Sequence, residues 1–352
     1  MIDLQKLPKA ELHLHIEGTF EPELIFEIAA RNGIALAYPN VGALRAAYQF
    51  DDLQAFLNLY YAGMDVLRTE RDYRDLTMAY LRRAQAQNVR HAEIFFDPQA
   101  HTQRGVAFAT VIDGISSALN ESVAEFGIST KLIMCFLRDV SADSAMATLE
   151  EALPYREHIV AVGLDSAEIG NPPSKFQAVF DRARTEGFLT VAHAGEEGAP
   201  EYVWQALNLL HVSRVDHGVR SMEDPLLVEH LRRTKMPLTV CPLSNLRLKV
   251  VQSLADHPLK VMLDAGLRAT VNSDDPAYFG GYIGENFRQT ADALKLTDDE
   301  LVTLAKNSFL ASFLDDSEKH RHLGDIDEFV RTNVWERPST AGFGYAESPC
   351  SG

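Results

Sequence analysis

The feature that most constrains this chain is an eightfold alternation of two kinds of segment. Short β-rich runs stand at 12–17, 91–96, 131–137, 160–165, 189–193, 214–217, 238–241 and 269–272. Between them lie stretches with the 3.6-residue periodicity of helices, at 22–32, 71–87, 106–126, 173–186, 202–210, 224–234 and 257–265. Pro22 opens the first of these and Gly33 follows it, the usual asymmetry of helix ends. Repeated strand–helix alternation implies a parallel sheet, and eight such units are enough to close a (β/α)8 TIM barrel. A doubly wound open sheet would need a glycine-rich phosphate turn after its first strand, and His15-Ile16-Glu17-Gly18-Thr19 is not one. The barrel is expected to fill residues 1–335 as a single domain. Segment 35–64 is an insertion after the first strand–helix unit, rich in aromatics (Tyr38, Tyr48, Phe50, Phe56, Tyr60, Tyr61). It reads either as extra helical packing or as a lid. Residues 336–352, with Pro, Ser and Gly, read as an extended or partly disordered tail.

Charge and cysteine usage exclude several function classes. The formal net charge is −17, so a polyanion would be repelled, and no basic stripe offsets this. Nucleic acid is therefore not expected as a partner. Cys135, Cys241 and Cys350 are too few and too scattered for a disulfide framework and fit a reducing compartment. Residues 1–20 lack a charged-then-apolar leader pattern, and no run reaches the roughly eighteen apolar residues of a membrane span. The expectation is a cytoplasmic protein with no membrane partner; a homo-oligomer is left open.

In a barrel of this type the reactive side chains gather where the strands end, on one face. Those ends carry His13 and His15, Asp165 and Glu168, His193 and Glu196, Asp216 and His217, and Asp274 and Asp275. His13 and His15 are two apart on one strand, so both imidazoles point to the same side. A lone His-x-His is a weak signal. Here His193 ends the fifth strand and Asp274 the eighth, and three imidazoles with one carboxylate suit a zinc ion that keeps a position open for water. Asp274-Asp275-Pro276 taken by itself would read as a helix N-cap. There is no Walker-type loop and no His-Glu-x-x-His.

Five motifs, in order, carry a resemblance. His13-Leu14-His15, His193-Ala194-Gly195-Glu196, Asp216-His217-Gly218, the run Cys241 to Asn245 and Ser273-Asp274-Asp275-Pro276 resemble the adenosine/adenine deaminase family of metal-dependent hydrolases. The match spans about residue 7 to about 310. The resemblance implies the eight-stranded barrel and one zinc per chain held by His13, His15, His193 and Asp274. It implies Glu196 as proton shuttle, His217 as the residue that orients the attacking water, and Asp275 as the partner of purine N7. The fourth strand ends without a lysine, so the carbamylated lysine of two-metal barrel hydrolases has no candidate.

Two departures from the adenosine-type pattern point to a free base as substrate. Adenosine deaminases generally carry Asp-Leu-Ala-Gly after the fourth strand, and this chain has Asp165-Ser166-Ala167-Glu168. Glu168 is expected near N9, where it could accept the N–H that only a free base has. A nucleoside would leave that carboxylate unpaired at a cost of about 1–3 kcal/mol. Ile16-Glu17-Gly18 likewise replaces the Leu-Asp-Gly whose Asp reaches the ribose. Together with the run Pro276 to Tyr282, these features resemble the adenine deaminase branch, which implies hydrolysis of adenine to hypoxanthine and ammonia in purine salvage. N6-substituted adenines, adenosine, and a binding protein without activity on the same scaffold are the alternatives.

Overall fold

A computed structural model describes residues 2–50 and 53–335. Its eight strands are β1 Lys9–His15, β2 Val89–Phe96, β3 Ser129–Leu137, β4 Ile159–Asp165, β5 Leu189–Ala194, β6 Arg214–His217, β7 Pro237–Val240 and β8 Arg268–Val271. They lie in sequence order, each parallel to the next. The ring closes through Asp274, just beyond β8. Its N–H donates to His13 O at 3.0 Å, and His15 N–H donates to Asp274 O at 3.0 Å. The (β/α)8 TIM barrel expected from the alternation is the fold observed.

Burial on both faces explains why most strands read as continuous apolar runs: the last six residues of β3, Leu132 to Leu137, are all buried. The main departure is β1, which begins at Lys9 rather than at residue 12. Lys9 and Glu11 are buried polar residues at the start of this strand. Lys9 Nζ donates to Gln87 O at 2.6 Å, and Tyr80 OH donates to Glu11 Oε2 at 2.9 Å. A polar pair buried in this way looks like a loop when only apolar residues are counted. β1 also ends at His15, leaving Glu17 in the short 3-10 turn Glu17–Thr19.

Helices wrap the outside. Glu70–Ala86 packs closely on Phe108–Leu119 because Gly114 has no side chain; a Cβ there would lie 2.5 Å from Glu70 O. After β8 and the short helix Pro276–Phe279 come three longer helices, Ile283–Leu294, Asp298–Leu310 and Asp316–Trp335. The second covers the seam of the barrel, with Ser308 Oγ accepting from Ala10 N at 2.9 Å. The insertion forms the helices Val41–Ala47 and Leu53–Met64. The second of these lies at the C-terminal mouth, where Phe56, Leu57, Tyr60 and Tyr61 line the cavity and Phe56 packs on Phe279. The tail expected at 336–352 lies outside the described residues. Among the described residues no helix is long and apolar enough to cross a membrane.

Candidate active site

Because the Asp274 peptide is hydrogen-bonded between His13 and His15, its side chain starts among their imidazoles. His13 Nε2 lies 3.2 Å from Asp274 Oδ1, His15 Nε2 lies 3.6 Å from the same oxygen, and His15 Nε2 lies 3.2 Å from His193 Nε2. Four ligands bonded at about 2.0–2.2 Å to a tetrahedral ion stand roughly 3.3–3.6 Å apart. The spacing matches that pattern.

Protonation on the far side of each ring supports the same conclusion. Thr239 has one hydroxyl proton and donates it to Asp216 Oδ1 at 2.8 Å. Thr239 Oγ1 must therefore accept from His13 Nδ1, 2.9 Å away. His13 Nε2 is buried, has no hydrogen-bond partner and faces a carboxylate oxygen. A cation held between these two atoms would satisfy both. His15 Nδ1 faces Asp165 Oδ2 at 3.5 Å, and His193 Nδ1 faces Asp216 Oδ2 at 4.0 Å. Carboxylates and hydroxyls behind the rings, with Nε2 turned inward, are the usual surroundings of metal-binding histidines. Burial pushes the His15 imidazole down to about 4 and His193 well below its ordinary value, so both are neutral, as ligands must be.

His217 stands between this cluster and Glu196. Its Nε2 is 3.8 Å from Asp274 Oδ2 and 3.5 Å from Glu196 Oε2, and burial lowers it to about 3. Donor atoms of His13, His193, His217 and Asp274 all lie within 4.8 Å of one another. His217 and Asp274 also share left-handed backbone, φ 62° and 63°, a conformation that is rare for side-chain-bearing residues and collects at active sites. Glu196 is pushed well above the usual carboxylate range, first by burial and then by Asp274 and Glu168; Ser244 Oγ donates to its Oε1 at 3.4 Å. Asp275 is raised in the same direction by burial and by Asp274, and its Oδ1 has no partner. Two buried carboxyl groups that keep their protons can both donate hydrogen bonds to ring nitrogens.

Glu168 departs from the sequence expectation. It is 2 % exposed and is not among the residues that line the cavity at the mouth. Its carboxylate accepts four backbone N–H groups from residues 195–198, so the lone pairs meant for a purine are already engaged. Glu17 is engaged too, accepting from His101 Nε2 at 2.8 Å and from Asp97 N at 3.1 Å.

Several site residues were missed. Asp97 follows β2 and lines the cavity together with Asp165. Burial and then Asp165 push Asp97 well up, and burial brings Asp165 to about 7. With His15 these two form a second group of metal-type donors. Arg138 follows β3, fully buried, and donates from Nη1 to His193 O at 2.7 Å. The rule that found the histidines, applied to the second and third strands, finds both. The helix Leu53–Met64 adds Phe56, Leu57, Tyr60 and Tyr61 to the cavity wall, with Phe56 packed on Phe279.

Comparison with known proteins extends this picture. The family model described as adenosine deaminase matches residues 8–329. The adenine deaminase of Sphingopyxis alaskensis is 62% identical over 324 residues, covering 92% of this chain and 95% of that protein. The crystal structure of adenine deaminase from Arthrobacter aurescens superposes with a TM-score of 0.91 at 55% identity, covering 92% of this chain and 99% of that one. An amidohydrolase from Burkholderia ambifaria, solved with bound Zn, reaches a TM-score of 0.87 at 27% identity, covering 95% of this chain and 94% of that one.

Proposed function

The chain belongs to the adenosine deaminase family, within its adenine deaminase branch, and from that premise we propose that it hydrolyses adenine to hypoxanthine and ammonia in purine salvage. The observation that carries the proposal is one cavity lined by His15, His193 and Asp274, by His217, and by Glu196 and Asp275, two carboxyl groups that burial pushes well above the usual range.

Residues 1–335 act as one catalytic domain. His13, His15, His193 and Asp274 would hold a single zinc ion. When bound, it supplies Lewis acidity that lowers the pKa of a coordinated water from 15.7 to about 7. Asp275, protonated, donates to purine N7 and fixes which face of C6 is presented. His217, held neutral by burial, accepts from the attacking water and aims it at C6. Glu196 donates its proton to N1 as the C–O bond forms. The water's second proton ends on the departing amine, the C6–N6 bond breaks, and the ring keeps the oxygen. Glu196's original proton stays on N1 of the product, and the water's first proton, taken by His217 Nε2, passes to Glu196 Oε2, 3.5 Å away, and restores the acid.

The test is a panel of adenine, adenosine, N6-methyladenine, N6-isopentenyladenine and guanine, with elemental analysis of the same preparation. The expected outcome is adenine turned over with the highest kcat/KM and close to one zinc per chain. Preference for adenosine or for an N6-substituted base would overturn the substrate. A ratio near two metals would overturn the mononuclear assignment and give the Asp97–Asp165 group a role.

A further inference from the structure

The turn after β5 is wrapped around a carboxylate. Glu168 Oε1 accepts from Gly195 N at 2.7 Å, and Oε2 accepts from the N–H groups of Glu196, Glu197 and Gly198 at 3.1, 2.8 and 2.7 Å. Four successive amides point at one side chain, and the residues at both ends of the turn are adapted to it. Gly195 has φ +74°, and a Cβ on Gly198 would stand 2.6 Å from Glu168 Oε1. The carbonyls are fixed from outside, His193 O by Arg138 Nη1 at 2.7 Å and Glu197 O by Arg220 Nη1.

We propose that Glu168 is a positioning residue for Glu196: its carboxylate folds the 195–198 turn into the shape that delivers the Glu196 carboxyl group to the cavity. This rests on Glu196 being the proton donor. The argument is one of satisfaction. Four amides converging on one point, three of them buried and that of Glu197 partly so, repel one another and are unpaired unless an anion sits there, and a buried unpaired amide is strongly disfavoured. Successive amides of this kind make an anion-binding concavity, and here the chain fills it with its own side chain. Without the carboxylate the turn relaxes toward water. Glu196, whose Oε atoms are placed 3.5 Å from His217 Nε2 and 3.4 Å from Ser244 Oγ, then loses its aim. Glutamine is no substitute, because it offers one acceptor oxygen and turns an NH2 group toward the remaining donors.

The experiment uses the metal-loaded protein and the variants E168A, E168Q and E168D, with adenine as substrate. E168A and E168Q should lower kcat roughly 10- to 100-fold, the order expected from misplacing a catalytic group by about 1 Å. KM for adenine and zinc content should stay near wild type, and E168D should recover part of the loss. Formate should restore E168A saturably by entering the vacated turn, and should do nothing for E168Q, whose side chain still fills it. E168A placed on E196Q should slow that variant no further. A raised KM with kcat intact would show that Glu168 touches substrate and would overturn the proposal. So would a full E168A loss persisting in the E196Q background. Wild-type turnover by E196Q would overturn the acid assignment itself, whereas a normal E168A beside a crippled E196Q would overturn only the clamp. If E168A does not fold, E168Q and E168D carry the kcat and KM comparison alone.

Discussion

At the N-terminal end of the barrel, Glu93 and Arg214 are fully buried and paired with each other; at the C-terminal end, Glu196 and Asp275 are also buried and, among the described residues, have no arginine or lysine in ion-pair contact. Glu93 also accepts from Phe313 N and faces His91 Nε2 at 3.2 Å, while Arg214 donates to Leu12 O at 3.0 Å. Burial would raise Glu93, but Arg214 overrides it and holds the carboxylate below its ordinary range. Nothing overrides burial for Glu196 and Asp275, which move the other way. The same residue type in the same dry surroundings is therefore a structural ion at one end and a proton carrier at the other. A guanidinium in direct contact decides which.

The sharpest way to break that comparison is E196Q, which keeps shape and hydrogen bonding but removes the transferable proton. The expected loss in kcat is about 10²- to 10⁴-fold with zinc retained, because the missing interaction belongs to the transition state. Wild-type kcat should also hold as pH rises through the ordinary carboxylate range and fall only above the raised Glu196 value, since the protonated form is the active one. Steady-state kinetics over pH, with zinc measured in parallel, would refute the assignment if E196Q retained near-normal turnover.

At the other end the expected damage is to stability. E93Q leaves Arg214 buried with Asp216, 3.4 Å from its Nε, as its remaining counter-ion, and breaking a buried pair from one side costs about 3–5 kcal/mol. Thermal unfolding should show the loss, while kcat per folded molecule stays close to wild type. The pH dependence follows from the direction of the shift. Glu93 lies below its unfolded value, about 4.3, so its contribution is present above that pH and lost as pH falls toward the folded value. E93Q should therefore flatten the acid side of the stability curve. A variant as stable as wild type would mean that the two ends do not differ in the way argued.

The difference between the ends also explains what was legible in the sequence. The eight strands were, because strands buried on both faces leave an apolar signal that polar turns cannot imitate. The gathering of His15, His193, Glu196, His217, Asp274 and Asp275 around one cavity was, because barrel chemistry gathers at strand ends. Lys9, Glu11, Glu93 and Arg214 were not, since a polar residue inside a strand gives no sign of being paired until its partner, up to 121 positions away for Arg214 and Glu93, is known. Glu168 was placed at the correct mouth but given the wrong neighbours. Residue type and position announce a carboxylate; the direction of four backbone amides is a property of the folded turn alone.

Thr239 gives the smallest expected effect and the finest division between the two ends. Its hydroxyl donates to Asp216 Oδ1 and accepts from His13 Nδ1, and the same Asp216 oxygen lies 3.4 Å from Arg214 Nε, so the paired end and the site meet in one side chain. T239V removes the hydroxyl. Asp216 cannot replace it, because its Oδ1 is 3.9 Å from His13 Nδ1, too far for a hydrogen bond. His13 is then free to carry its proton on Nε2, the form that cannot bind a metal. Loss of such an orienting partner typically weakens metal binding about 10- to 100-fold. Chelator competition should show that weakening in T239V and not in T239S, with kcat near wild type once zinc is saturating. A fall in thermal stability of the metal-free protein as large as that of E93Q, with zinc affinity unchanged, would place Thr239 with the structural ions and remove it from the site.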